Sequence, residues 1–205
     1  MFTFKKPRSA TENRKSKETE IVSRLTIDGS GRAKITTHIG ILDHMLELFA
    51  FHGHFDLSLE VKKADTNIDI HHTNEDVGIV LGKLFKKALG DRAKIRRFGF
   101  AAAPMEATFT EIIIDLSGRG FCKIDGLGLI KGNKQDGYTL AYLEHFLESF
   151  AHHLGANLIV NIKNISEDLH TTIETVFKAL GLALDQAVTL DTRRQGVPST
   201  KGIID

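Results

Sequence analysis

The chain has 205 residues, enough for one compact domain or two small ones sharing a core. Its 27 basic and 26 acidic side chains nearly cancel, which argues against a nucleic-acid footprint or a polybasic membrane anchor. No apolar run approaches the roughly 18 residues of a spanning helix. The basic, polar start lacks the apolar stretch of a secretory signal, and a lone Cys122 excludes an internal disulfide. A reducing, cytoplasmic setting is therefore expected.

In chain order, residues 21–27 and 34–37 flank the turn signal Asp28-Gly29-Ser30-Gly31 and are expected to pair as a hairpin. Residues 41–51 carry apolar side chains at spacings of 3 and 4, the pattern of a helix, and 56–62 read as a strand. A second helix is expected from about 73 to 89. The same series then recurs: a hairpin from 112–116 and 121–124, a helix over 143–154, a strand over 157–163 and a helix over 172–188. Residues 126–137, rich in Gly and Lys, are expected to be a mobile loop.

The recurrence is written into the residues themselves. Leu42-Asp43-His44-Met45-Leu46-Glu47-Leu48-Phe49-Ala50-Phe51-His52 aligns with Leu143-Glu144-His145-Phe146-Leu147-Glu148-Ser149-Phe150-Ala151-His152-His153, identical at seven of eleven positions. Asp69-Ile70-His71-His72-Thr73-Asn74-Glu75 aligns with Asp168-Leu169-His170-Thr171-Thr172-Ile173-Glu174, and Leu81-Gly82 with Leu180-Gly181. Strand, strand, helix, strand, helix, given twice, predicts an internally duplicated α+β fold: two sheets with helices packed between them. The units are expected to divide at 100/101, within one compact domain.

His71, His72 and Glu75 open a helix, and residues three apart project from one face, so His72 and Glu75 are expected to act together. Imidazoles with a carboxylate suit a divalent metal, and the absence of thiolates argues against a soft structural site. An isolated His-His-x-x-Glu is as well explained by solvated side chains at a helix entrance. Repetition shifts the balance, because His170 and Glu174 reproduce the spacing and His44 and His145 occupy matched positions on apolar helices. Arg97, Arg119, Lys178 and the run Ser199-Thr200-Lys201-Gly202 are candidates for anion binding. Each is weak alone: Arg119 could simply pair with Asp115, Lys201 could lie in an exposed tail, and Glu18 reads as part of a solvated charge run.

Taken together, several motifs resemble the imidazoleglycerol-phosphate dehydratase family: Asp69-x-His71-His72-Thr73-x-Glu75-Asp76-Val77-Gly78-Ile79, Leu42-Asp43-His44-Met45-Leu46, Arg97-Phe98-Gly99, Asp115-Leu116-Ser117-Gly118-Arg119, Phe177-Lys178-Ala179 and Pro198-Ser199-Thr200-Lys201-Gly202. The resemblance implies a duplicated fold similar to ribosomal protein S5 domain 2. It also implies a hydro-lyase of histidine biosynthesis that converts imidazoleglycerol phosphate to imidazoleacetol phosphate, two manganese ions per chain, and a shell of 24 subunits built from trimers with metal sites between subunits. His44, His71, His72, Glu75, His145, His170 and Glu174 match the family's metal ligands. Arg97, Arg119, Ser199 and Lys201 match its phosphate-binding positions, while Glu18 and Lys178 match residues at the substrate. The expected chemistry makes the imidazole ring expel the neighbouring hydroxyl, metal ions on the ring nitrogens lowering the cost of an imidazolate. Glu18 is expected to transfer a proton, with a metal-bound water as the competing group.

The chain departs from the family pattern at four places. Thr171 stands where the second unit should carry its second histidine, which leaves one of eight expected ligands missing and marks the His170/Glu174 half as incomplete. Pro104-Met105-Glu106-Ala107 carries one carboxylate in place of an Asp-Glu pair, Leu48 replaces a usual Gln, and His38 a usual Gly. His38 or His152 could supply the missing nitrogen. The alternative function is a metal-binding, assembly-competent homologue whose catalysis is lost or altered.

Overall fold

The computed structural model describes residues 7–126, 137–164, 166 and 168–204. Residues 127–136, most of the expected loop, lie outside them. Two four-stranded sheets enclose four helices. The first sheet is ordered β1-β2-β4-β3, from β1 Ser9–Lys15, β2 Glu20–Thr26, β3 Ala33–Thr36 and β4 Asp56–Lys63. The second repeats that order as β5-β6-β8-β7, from β5 Phe98–Met105, β6 Thr108–Asp115, β7 Phe121–Asp125 and β8 Asn157–Lys163. The helices are α1 Gly40–His52, α2 Ile70–Leu89, α3 Leu140–Leu154 and α4 Leu169–Val188. The duplicated α+β architecture read from the sequence is the one present.

Two expected pairings are corrected. β2 and β3 do not form a hairpin: β4 runs between them, antiparallel to β2 and parallel to β3, and β8 separates β6 from β7 in the same way. The Asp28-Gly29-Ser30-Gly31 turn instead wraps the start of β4. Asp56 accepts hydrogen bonds from the backbone N–H of Ser30 (2.9 Å) and Arg32 (3.1 Å), and a Cβ on Gly29 would lie 2.5 Å from Asp56 N. β4 buries Leu57, Leu59 and Val61 on one face, which favours a central place in the sheet over an edge. The real hairpins are β1–β2, closed at Lys15↔Glu20, and β5–β6, closed at Met105↔Thr108. β5 begins at Phe98, so position 100/101 falls inside that strand.

One hydrophobic core serves both units. Phe49 packs on Phe55 and Phe85 of its own unit and meets Phe150 of the other edge-on, 6.3 Å between ring centroids. The helix pairs cross between units: α1 packs against α4 and α2 against α3. Matched glycines allow this. A Cβ on Gly181 would come within 2.6 Å of Phe49 O, and one on Gly82 within 2.6 Å of Phe150 O. The two outer sheet faces differ: Phe98, Phe100, Ile113 and Phe121 are exposed on the second sheet, whereas Arg24, Ser58, Glu60 and Lys62 line the first.

Candidate active site

Crossed helices decide which of the expected residues meet. α1 carries His44 to the first turns of α4, where His170 and Glu174 stand. His44 Nε2 lies 3.6 Å from Glu174 Oε2, His170 Nε2 lies 3.2 Å from the same oxygen, and the two imidazoles stack 5.4 Å apart. The three donor atoms converge on one point. Lys178, one turn along α4, sets Nζ 2.5 Å from Glu174 Oε1. Burial opposes ionisation of Glu174, but the Lys178 hydrogen bond and charge, with His170 and His44 nearby, outweigh it and hold the carboxyl below its ordinary range. A buried carboxylate kept charged, with one oxygen locked and the other facing two imidazoles, is suited to a cation.

The matched cluster forms between α2 and α3 in a different arrangement. His71 Nδ1 lies 2.9 Å from His145 Nδ1, while His71 Nε2 lies 3.4 Å from Glu75 Oε2. His71 thus presents opposite ring edges to its two partners. His72 leaves this cluster: its Nδ1 lies 2.9 Å from Asp65 Oδ2 and 4.0 Å from Glu18 Oε1. The expected i, i+3 pair of His72 with Glu75 is replaced by the i, i+4 pair of His71 with Glu75. The Asp65 hydrogen bond, with Glu18 adding its charge, raises the His72 imidazolium above its ordinary range against a smaller opposing effect of burial.

Thr171 stands apart from the cluster of its own half. His170 and Glu174 obtain their third partner from α1 of the other unit, and Thr171 is not among the converging groups. Its Oγ1 donates to Asp168 Oδ2 at 3.1 Å. Neither expected substitute joins the cluster: His38 Nε2 lies 2.8 Å from Val61 O, and His152 packs on His153.

Several residues without an expected role hold this geometry. Asp69 and Asp168 cap α2 and α4, accepting from His71 N and His170 N at 2.9 and 3.0 Å. The helices therefore begin a turn earlier than expected and carry the histidines in the first turn. An aspartate two residues before each histidine is the signal that could have shown it. Asn74 donates to Tyr142 O at 2.7 Å and accepts from Tyr138 Oη–H at 2.8 Å, tying α3 to α2. Buried Asp76 accepts from Thr19 Oγ1–H at 2.5 Å and pairs with Arg14 at 2.7 Å, which anchors the β1–β2 turn bearing Glu18. The pairings of Asp65 and Asp76 gave no sequence signal, because their partners lie across a fold-back or on another element.

A cleft of about 200 Å³ gathers Arg97, Ser117, Arg119, Ser199 and Lys201, so the expected anion-binding residues meet except Lys178, which pairs with Glu174. Arg97 is already engaged: Nε and Nη2 donate to Asp115 at 2.6 and 3.0 Å, and Nη1 to Pro198 O at 3.0 Å. It holds the segment bearing Ser199 and Lys201, and it takes the Asp115 partner that Arg119 could have had. A larger groove of about 370 Å³ on the outer face of the first sheet, by Arg24, Arg32 and Lys34, contains none of the expected site residues.

The chain matches the family model "Imidazoleglycerol-phosphate dehydratase" over residues 37–184. It is similar to the protein of that name from Thermoanaerobacter sp. (strain X514), 47% identical over 96% of this chain and 100% of the relative. It is also similar to that of Pelobacter propionicus, 45% identical over 96% and 99%. Among solved structures it resembles the dehydratase of Staphylococcus aureus, with a TM-score of 0.79, 27% identity and coverage of 89% and 99%. It likewise resembles that of Pyrococcus furiosus, with a TM-score of 0.79, 31% identity and coverage of 94% and 99%. With 96% of the chain aligned to a relative and the crossed His/Glu clusters in place, it belongs to the imidazoleglycerol-phosphate dehydratase family.

Proposed function

We propose that this chain dehydrates imidazoleglycerol phosphate to imidazoleacetol phosphate in histidine biosynthesis, using manganese held by His44, His170 and Glu174 and by His71, His145 and Glu75, in an assembly of several copies. The observation that carries the reading is the convergent His44/His170/Glu174 cluster with Glu174 kept anionic by Lys178. Its donors fit a divalent ion: ligands about 2.1 Å from a metal stand roughly 3.0–3.4 Å from one another, close to the 3.2 and 3.6 Å found. Two imidazoles and a carboxylate without thiolate suit manganese, iron or zinc; manganese comes from the family. When bound, the metal supplies Lewis acidity at the imidazole nitrogens of the substrate.

The chain's own groups do the rest. Arg119, Ser199 and Lys201 bind the phosphate, and Arg97 holds their segment in place. Glu18 is exposed at the mouth of the His72 cluster, where it can take the proton from the carbon next to the departing hydroxyl. Lys178 orients Glu174. Distance supports more than one copy per site. Arg97 N donates to Ala187 O, placing the phosphate cleft at the C-terminal end of α4, while Glu174 lies near its N-terminal end. Thirteen residues at ~1.5 Å each separate them by about 20 Å, and the substrate spans roughly 10 Å at ordinary bond lengths. A cleft and a metal cluster serving one substrate must then come from different copies, and the apolar outer face of the second sheet is consistent with association. Among the described residues no helix is long and apolar enough to cross a membrane.

The test adds manganese and imidazoleglycerol phosphate to the purified chain, follows the enolisable ketone, and counts metals per chain. Turnover with metal bound is expected. A metal-loaded, assembled chain that forms no ketone would overturn the reading in favour of a homologue without this activity.

A further inference from the structure

His72 differs from the other candidate ligands in pairing one ring nitrogen with a carboxylate outside the expected ligand set. Asp65 Oδ2 lies 2.9 Å from Nδ1, whereas Nε2 has no hydrogen-bond partner among the described residues. Asp65 is itself held by backbone contacts: its N–H donates to Thr73 Oγ1 at 3.1 Å, and its carbonyl accepts from Asp69 N at 3.4 Å. Those bonds close the segment after β4 back onto the first turn of α2, so the carboxylate is fixed to the same turn that carries His72. Glu18, half-exposed and 4.0 Å away, is the weaker partner. A carboxylate accepting Nδ1–H selects one tautomer, fixes the ring plane and makes Nε2 the more basic, lone-pair-bearing atom.

We propose that Asp65 is a positioning residue that accepts Nδ1–H of His72 and so presents Nε2 as a metal-coordinating atom directed away from its own chain. This rests on the metal-dependent reading above. Side-chain substitution at 65 leaves both backbone contacts in place, so D65N is expected to fold and assemble normally. Manganese affinity, measured by chelator competition, is expected to fall roughly 10–100-fold in D65N, with D65E recovering part of the loss. In an H72A background D65N should cause no further loss, because the pair acts as a unit. Equal losses with and without His72, or D65N within twofold of wild type, would overturn the proposal while leaving the metal-dependent reading intact. A wild-type chain that neither binds manganese nor turns over substrate would overturn both.

Discussion

Asp76 is where packing and catalysis are most directly coupled, and D76N tests the coupling. The carboxylate is 6% exposed and has two partners, the Thr19 hydroxyl and the Arg14 guanidinium. Asparagine keeps the shape and can still accept from Thr19, but its N–H₂ then faces Arg14 donor to donor. Among the described residues Arg14 Nε has no partner and Asp76 is the one carboxylate paired with the guanidinium, which D76N removes. A lost charged hydrogen bond costs ~1.5–3 kcal/mol, and breaking a fully buried pair ~3–5. The Arg14 side chain is 32% exposed, which lets water recover part of this and places the expected loss at about 2–3 kcal/mol. For a chain of this size that lowers Tm by roughly 5–10 °C, measured without metal at one fixed protein concentration, since assembly and metal both shift Tm. The β1–β2 turn keeps its Thr19 bond to α2 but loses the Arg14 tether, so the Glu18–His72 distance should loosen and kcat/KM should fall about tenfold. A D76N chain with Tm within a degree of wild type and unchanged kcat/KM would refute the reasoning.

Four further outcomes are expected. G181A should force α1 and α4 apart at Phe49, costing about 2–3 kcal/mol and weakening manganese binding by separating His44 from Glu174; unfolding midpoints and metal titration check both. The Cys122 thiol, pushed up to about 12 by burial and by Glu148 and Glu144, should alkylate at pH 8 on the order of 10³-fold more slowly in the folded chain than in denaturant. Asp56 is held well below the ordinary carboxylate range, first by its hydrogen bond from Arg32 and then by the Ser30 and Arg32 backbone. Its stabilisation is therefore present above the unfolded value of about 4 and is lost as pH falls through the lower folded value. D56N should cost about 1–2 kcal/mol at neutral pH, the gap to wild type closing in acid denaturation series. T171H should raise manganese affinity in the assembled chain and leave a dissociated chain unchanged, measured above and below the assembly concentration.

The helices and the inner strands were legible because burial writes itself as a period: Leu57, Leu59 and Val61 alternate, and α1 repeats every three to four residues. β1 and β5 escaped for opposite reasons. Ser9–Lys15 is a polar edge strand with Ala10 as its one apolar side chain, so it carries no alternating signal. Phe98–Met105 is apolar on both faces, because its outward Phe98 and Phe100 are as hydrophobic as its inward alanines. The misread hairpins have a third cause. A turn motif states that the chain reverses direction, but not whether a later strand will enter the gap, and β4 and β8 do so through the parallel crossovers of α1 and α3.

The site was legible as residues and illegible as partnerships. Spacing along a helix fixes which side chains share a face, not which helix that face meets, so matched positions on two helices left open which cluster His44 and His145 would join. The structure brings His44 to His170 and His145 to His71, and this pairing bears on what Thr171 means. Position 171 matches position 72, and His72 turns away from the His71/Glu75 cluster toward Asp65 and Glu18. By the same backbone geometry a histidine at 171 would be directed away from His44, His170 and Glu174, which already converge without it. Within this chain, Thr171 therefore takes no donor away from the His44/His170/Glu174 cluster.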